Sequence, residues 1–477
     1  MTRGRRVAVL LIAVAWAASA GCAALAPKPA WELPPPPVAE GPVVPQDRLH
    51  RTTLENGLEV VVLEDGGLPR LEVGILLRRG AEIETREDAG VVALMADVME
   101  RGAGSRDALT LARAVEEMGA DLGVGAGMDS VSVDLSGLSD DSDALFDLLA
   151  DVALRPRFDA GEVARARAET LAGLEQEKDD PGALLGRQLS RTLYDGHRYG
   201  LSVAGSPGSV ARLDAAALRD AHRRLFVASN AILYVVGDVT EQQALDHVRA
   251  RFGTWEAGTA PPPGPPPPGP TPPARRVVLV DRPDLGQAQI ALAHEGIART
   301  DEQRIPAGLM NTILGGGGFL SRLMSRVRAD EGLAYGIGSG FALRRHAGPF
   351  VVSTSTRAPE AGRVVDIVLE EIERLRREEP GADELRNARS LSAGRFVLGL
   401  ETSAAIVGSL VELDVYGLPP DSLDTYRTRL NAVTLEEVHA SAVRLLHPER
   451  MAIVAVGPVE VLRPQLERFG PVEVVEP

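Results

Sequence analysis

Apolar residues recur along this chain with two different periods. In GVVALMADVMERGA (90–103), Val91, Leu94, Met95 and Val98 fall at i, i+3, i+4 and i+7, which predicts a helix with one buried stripe. Positions 93, 96, 97 and 100 then lie on the opposite, exposed face. DALFDLLADVAL from Asp143 puts Leu145, Leu148, Leu149 and Val152 on one stripe, and VVDIVLEEIERLRREE from Val364 repeats the pattern with charges opposite. Between such helices lie short runs of period two bounded by glycine, such as SVSVDLSGL at Ser130. The alternation predicts an α+β fold, a largely antiparallel sheet with helices on one face.

The pattern also repeats on a larger scale. A Pro-rich segment, GTAPPPGPPPPGPTPPARR, cannot pack as helix or sheet and divides the chain. The half before it opens with VVVLEDGG at Val60 and LEVGILLRRGA at Leu71; the half after it opens with VVLVDRPD at Val277 and AQIALAHEGIA at Ala288. AILYVVGDV leading to RFGTWE closes the first, and MAIVAVGPV leading to RFGPVEVVE closes the second. Matching punctuation at both ends of both halves points to a gene duplication. The expected organisation is a leader over 1–21, a Pro-rich tether over 22–46, homologous domains over 47–257 and 276–472, and a linker over 258–275.

Composition narrows the function. At 477 residues the chain has room for several domains, and a net charge of −16 with no dense basic run beyond the N-terminus excludes a nucleic-acid role. Arg3, Arg5 and Arg6 precede the apolar run VAVLLIAVAWAASA, which has the form of a secretory signal. Cys22, the only cysteine, follows in ASAGC; a lone thiol in an exported chain makes no internal disulfide. The stretch resembles a bacterial lipobox, which implies acylation of Cys22 and a periplasmic lipoprotein anchored in the outer membrane of a Gram-negative bacterium. Cleavage after Ala18-Ser19-Ala20 is the alternative.

Several segments resemble the insulinase-like, or M16, metallopeptidases: LENGLEVVVLED at Leu54, RGAEIETREDAGVVALMADVMERGA, and LGGGGFLSRLMSRVRADEGLAYGIGS from Leu314. The resemblance runs over nearly all of residues 47–472 and implies two homologous M16-type domains. It further implies that the exposed face of the 90–103 helix should carry His-x-x-Glu-His, two zinc ligands and a general base. Here those positions hold Ala93, Ala96 and Asp97, and the third-ligand position falls on Gly173, with Glu175 as the neighbouring alternative. No two of the eight histidines lie three, four or five apart, so no compensating local motif exists. Asp97 and Glu100 form either an acid pair or a solvated polar face.

The second half keeps what the resemblance assigns to substrate binding. Arg328 and Tyr335 match the family's Arg and Tyr pair, and both supply donors suited to a carbonyl oxygen gaining charge. Gly315, Gly316, Gly317 and Gly318 form either a peptide-contacting loop or a site of close helix packing; without Lys-Ser/Thr they make no P-loop. The strand around Ser130 corresponds to the edge on which the family adds a peptide substrate, although Asp121 and Gly123 depart from its Asn-containing pattern. The resulting expectation is a subunit with no cofactor of its own. It pairs with a zinc-bearing M16 subunit and lends Arg328 and Tyr335 to a chamber that cleaves peptides or unfolded polypeptides. A non-enzymatic envelope scaffold and a peptidase with an altered metal site are the alternatives.

Overall fold

The computed structural model describes residues 41–269 and 272–476; the leader, Cys22 and most of the expected tether lie outside them. The period-two segments of the first half become β1 (Leu49–Thr53), β2 (Glu59–Glu64), β3 (Arg70–Leu77), β4 (Gly102–Ala103), β5 (Arg106–Asp107), β6 (Asp121–Ala126), β7 (Val131–Leu138) and β8 (Ala231–Gly237). Apart from the β4–β5 ribbon they make a six-stranded sheet in the order β1-β2-β8-β3-β7-β6. The second half supplies β9 (Arg276–Asp281), β10 (Gln287–Glu295), β11 (Ile337–Phe341), β12 (Pro349–Arg357), β13 (Ala452–Gly457) and β14 (Val472–Val475), ordered β11-β12-β10-β13-β9-β14.

The two sheets have one plan. β2, β8, β3, β7 and β6 correspond to β9, β13, β10, β12 and β11 in position and direction: β2–β8 and β9–β13 are parallel, and the other matched neighbours antiparallel. Only the outermost strand differs, β1 being antiparallel to β2 and β14 parallel to β9. This architecture is α+β, two homologous domains of mainly antiparallel sheet with packed helices.

Helices cover both faces of each sheet, not one. Alternate residues of β8 show why. Leu233 and Val235 face the core of their own half with Val73, Ile75, Leu94 and Leu149, whereas Ile232, Tyr234 and Val236 face Val407 and Val411 of the helix Ser403–Tyr416, which belongs to the other half. Reciprocally, Leu184, Leu185 and Leu189 of the helix Pro181–Leu193 cover Val278, Val280, Val454 and Val456 in the second sheet. Strands apolar at every position, as AILYVVG and AIVAVG are, have no face to give to water. Each half therefore lends the other a helix.

A buried polar joint fixes this exchange. Arg345, in the β11–β12 turn, donates to Glu82 at 2.9 and 3.1 Å, to the Arg78 carbonyl at 2.7 Å and to the Val415 carbonyl at 3.1 Å. Its backbone N–H donates to Asp129, which also accepts from Tyr416 at 3.0 Å. The Pro-rich linker docks beside this joint, with Arg79 donating to the Pro261 carbonyl and His346 hydrogen-bonded to that of Gly264. The last residues of the expected tether also dock: Val43 and Val44 donate to Asp424, and Val44 is buried with Leu410 and Leu413.

Arg345→Ala would strip buried Glu82 of its hydrogen-bonded cation, with Arg79 left 3.9 Å away, and would free the Arg78 and Val415 carbonyls. It is expected to cost about 3–5 kcal/mol in denaturant unfolding; a loss below about 1 kcal/mol would refute this role for the joint. Burial, opposed by Arg345, holds the Glu82 carboxyl up to about 7. The folded state thus keeps a proton that the unfolded chain releases, so this group's contribution is full below about pH 4.5 and is lost as pH rises through about 7. The stability of wild type relative to Glu82→Gln is therefore expected to fall between about pH 5 and 8 in parallel urea titrations; an unchanged difference would refute the shift.

Candidate functional site

The helix predicted over 90–103 forms at Val91–Met99. Glu84 caps it, accepting from the N–H groups of Gly90 and Val92 at 3.0 and 2.8 Å, and is itself held by Arg198 at 2.6 Å in a buried ion pair. The predicted stripe is buried, but so are Val92, Ala96 and Met99. Ala96 is 2% exposed, not on an open face as expected, because the helix packs against β6 and against the helices Ala160–Gln176 and Ala215–Leu225. Ala93 and Asp97 are partly open, and only Glu100 is exposed.

The two acids do not act as a pair. The Glu100 carboxylate accepts from the Val124 N–H at 2.5 Å, which ties down an outward amide of β6. Asp97 instead takes a bidentate bond from Arg101, at 2.9 and 3.0 Å, and the same guanidinium reaches Glu169 on the helix Ala160–Gln176 at 2.7 Å. That hydrogen bond holds the Glu169 carboxyl below the usual range. Glu169 lies four residues before the exposed Gly173 and so on the same helix face, whereas Glu175 is about half a turn away and pairs with Lys178 at 2.7 Å.

A guanidinium between two carboxylates thus stands at Asp97, one of the positions where the resemblance leads one to expect a zinc ligand. The residues present do not fit zinc: two alanines and a glycine offer no donor, and the single remaining carboxylate, Asp97, is already bound to Arg101. Elsewhere, the His294 and His447 rings come within 5.3 Å, but His294 is committed to the Glu295 carbonyl and the His447 N–H. Among the described residues no group of three His, Cys, Asp or Glu side chains converges as metal ligands would.

The second candidate site is held very differently. Arg328 lies in the π-helical turn Ser325–Asp330, a distortion frequent at functional sites. Arg326 ties this turn to Glu371 at 2.9 Å, and Arg322 ties the turn before it to Glu384 at 2.7 Å. Thr356 and Thr354 of β12 then take the Leu333 and Gly336 carbonyls, each at 2.7 Å, fixing the backbone on both sides of Tyr335. On that rigid base Tyr335 is 85% exposed and Phe319 72% exposed, and the Arg328 guanidinium lies 4.3 and 4.7 Å from their rings. Arg328 donates to the Tyr335 carbonyl at 2.7 Å; the Tyr335 hydroxyl has no hydrogen-bond partner among the described residues.

The glycine run is mostly a packing device. A Cβ on Gly315 would lie 2.5 Å from Ser339 Oγ, and one on Gly317 2.5 Å from the Thr312 carbonyl; Gly318 alone has positive φ, 59°. Sequence reasoning missed Arg101, Glu169 and Phe319, which belong to no motif. The i,i+4 spacing of Asp97 and Arg101 was the one available signal. It also misplaced the open edge: β7, which follows Ser130, is flanked by β3 and β6, and the outer strand is β6. The largest cavity near the linker, about 400 Å³ beneath Pro261 to Pro265, includes neither site.

A duplicated α+β chain with a capped helix stripped of metal donors and a rigid, exposed Arg/Tyr segment is built as a metallopeptidase homologue of the inactive type. Residues 60–206 match the description "Insulinase (Peptidase family M16)" and residues 212–391 "Peptidase M16 inactive domain"; the chain belongs to the M16 family. An M16 inactive domain from Pseudomonas fluorescens superposes with a TM-score of 0.80 at 30% identity, covering 86% of this chain and 98% of that one. An uncharacterised zinc protease of Streptomyces coelicolor is 27% identical over 86% of this chain and 90% of its own length. A non-peptidase homologue from Helicobacter pylori is 22% identical over 82% and 89%. Relatives named as a zinc protease and as a non-peptidase homologue thus both align with this chain.

Arg101 would repel a divalent cation at this site. Introducing Ala93→His, Asp97→His and Gly173→Glu is therefore expected to give stoichiometric zinc binding in an Arg101→Ala background, and binding at least about tenfold weaker with Arg101 retained. Equal zinc affinity by competitive chelator titration would show that the guanidinium does not occupy the metal position.

Proposed function

We propose that this chain is the non-catalytic subunit of a two-subunit M16 peptidase, pairing with a zinc-bearing M16 subunit and lending Arg328 and Tyr335 to their shared peptide chamber. The observation that carries the reading is a contrast in commitment. Around the former metal position Asp97, Arg101 and Glu169 satisfy one another, and Glu100 covers a β6 amide. Arg328 and Tyr335 hold unused N–H and O–H donors on a fixed, exposed platform. In the complex these donors would meet the carbonyl oxygen of a bound peptide as it gains charge, while the zinc of the partner would activate the attacking water.

The exposed Phe319, Leu320 and Tyr335 side chains form an apolar surface of the kind that marks a protein contact. Export and acylation at Cys22 would place the complex on the periplasmic side of the outer membrane.

Co-expression with a zinc-bearing M16 subunit is expected to yield a zinc-dependent peptidase whose kcat falls about 10²–10³-fold on Arg328→Ala, less on Tyr335→Phe, with assembly unchanged by size-exclusion chromatography. Zinc-dependent cleavage by the isolated chain would overturn the proposal. A complex indifferent to both substitutions would make the chain an envelope scaffold.

A further inference from the structure

Behind the glycine-rich segment, the helices Arg304–Asn311, Ala382–Leu398, Ser403–Tyr416 and Ser422–Ala432 enclose a second cavity of about 510 Å³. This is within the size range of small-molecule sites, and its walls are mainly Leu309, Leu343, Phe396, Leu413, Leu418 and Leu430. Of the polar groups that face it, Arg299, Arg395 and Thr312 are paired with Glu412 and with the Gly316 and Gly308 carbonyls; others are not. The Arg304 guanidinium makes no ion pair or hydrogen bond among the described residues. Burial and the nearby cations of Arg429 and Arg299 lower its pKa, outweighing Tyr426 and Asp301, which raise it. The acids near it are taken: Asp301 binds Arg444 at 2.9 Å, and Glu412 binds Arg299 at 2.9 Å.

Two hydroxyls share this wall. Ser422 is 7% exposed, and its Oγ is buried without a hydrogen-bond partner. Tyr426, one helical turn on and electrostatically coupled to Arg304, also has no hydrogen-bond partner for its hydroxyl among the described residues. A cation and two O–H donors lining a largely apolar chamber complement an anionic head on an apolar tail. A peptide would bring backbone amides that these leucine walls could not satisfy.

We propose that this cavity binds a single-chain amphipathic carboxylate of the fatty-acid class, its head on Arg304, Tyr426 and Ser422 and its alkyl chain along the leucines. The site is separate from the Arg328 platform but adjoins it, since Arg395 lines the cavity and donates to the Gly316 carbonyl at 3.0 Å.

The test is isothermal titration calorimetry of the full chain with dodecanoate below its micellar concentration. Saturable one-to-one binding is expected, weakened about tenfold or more in both Arg304→Ala and Arg304→Gln. Dodecanol should bind wild type and the Arg304 variants alike. Gly308→Phe should abolish binding of both ligands, because a Cβ at Gly308 meets nothing within 4 Å and its side chain can fill the chamber. All variants should melt like wild type by circular dichroism. No saturable binding to wild type, or unchanged dodecanoate affinity in the Arg304 variants and Gly308→Phe, would overturn the proposal.

Discussion

Arg345 joins two halves that could not be separated without exposing apolar sheet. Its side chain leaves a turn of the second half and ends among Glu82 and the Arg78 carbonyl of the first, while also holding the Val415 carbonyl at the end of the exchanged helix. A charge this deep is stable only when its acceptors are pre-arranged, and they are: Asp129 fixes the Arg345 N–H and Tyr416 together. The end of the exchanged helix Ser403–Tyr416 and the docked Pro-rich linker meet at that joint.

The helical stripe Val91, Leu94, Met95, Val98 and the duplication of the chain were legible in sequence because each shows in the pattern of apolar residues itself. The second covered face was not read, although AILYVVG and AIVAVG carry the signal in being apolar at every position. Ala96 shows the limit of a helical wheel: one helix knows its own faces but not how many neighbours it will have. The β7 assignment failed for a related reason, since strand order is a tertiary property, and β6 lies outside β7 only because the chain turns back at Gly127 to Ser130.

The candidate site was legible where residue type mattered and obscure where partners did. Missing histidines could be read directly; the Asp97–Arg101–Glu169 cluster could not, because Arg101 meets Glu169 68 residues further along the chain. That cluster has a physical logic. Two carboxylates on neighbouring helices need positive charge between them, and an arginine from one helix provides it without a ligand. With side-chain exposures of 22, 42 and 55%, the triad is screened by water and adds only modestly to stability.

Occupation at one place and availability at another explain how such a chain could lose one chemistry and keep another. Donors to a developing charge work only if they are held still and left unpaired. The two π-helical turns, the Arg322–Glu384 and Arg326–Glu371 pairs and the two threonine bonds from β12 hold the 315–336 segment still. Stacking between Phe319 and Tyr335 holds the guanidinium of Arg328, at the cost of exposing two rings to water. A protein with no use for that surface would gain by burying either ring or by pairing the arginine. Neither has happened here, and that argues for a contact made from outside the chain.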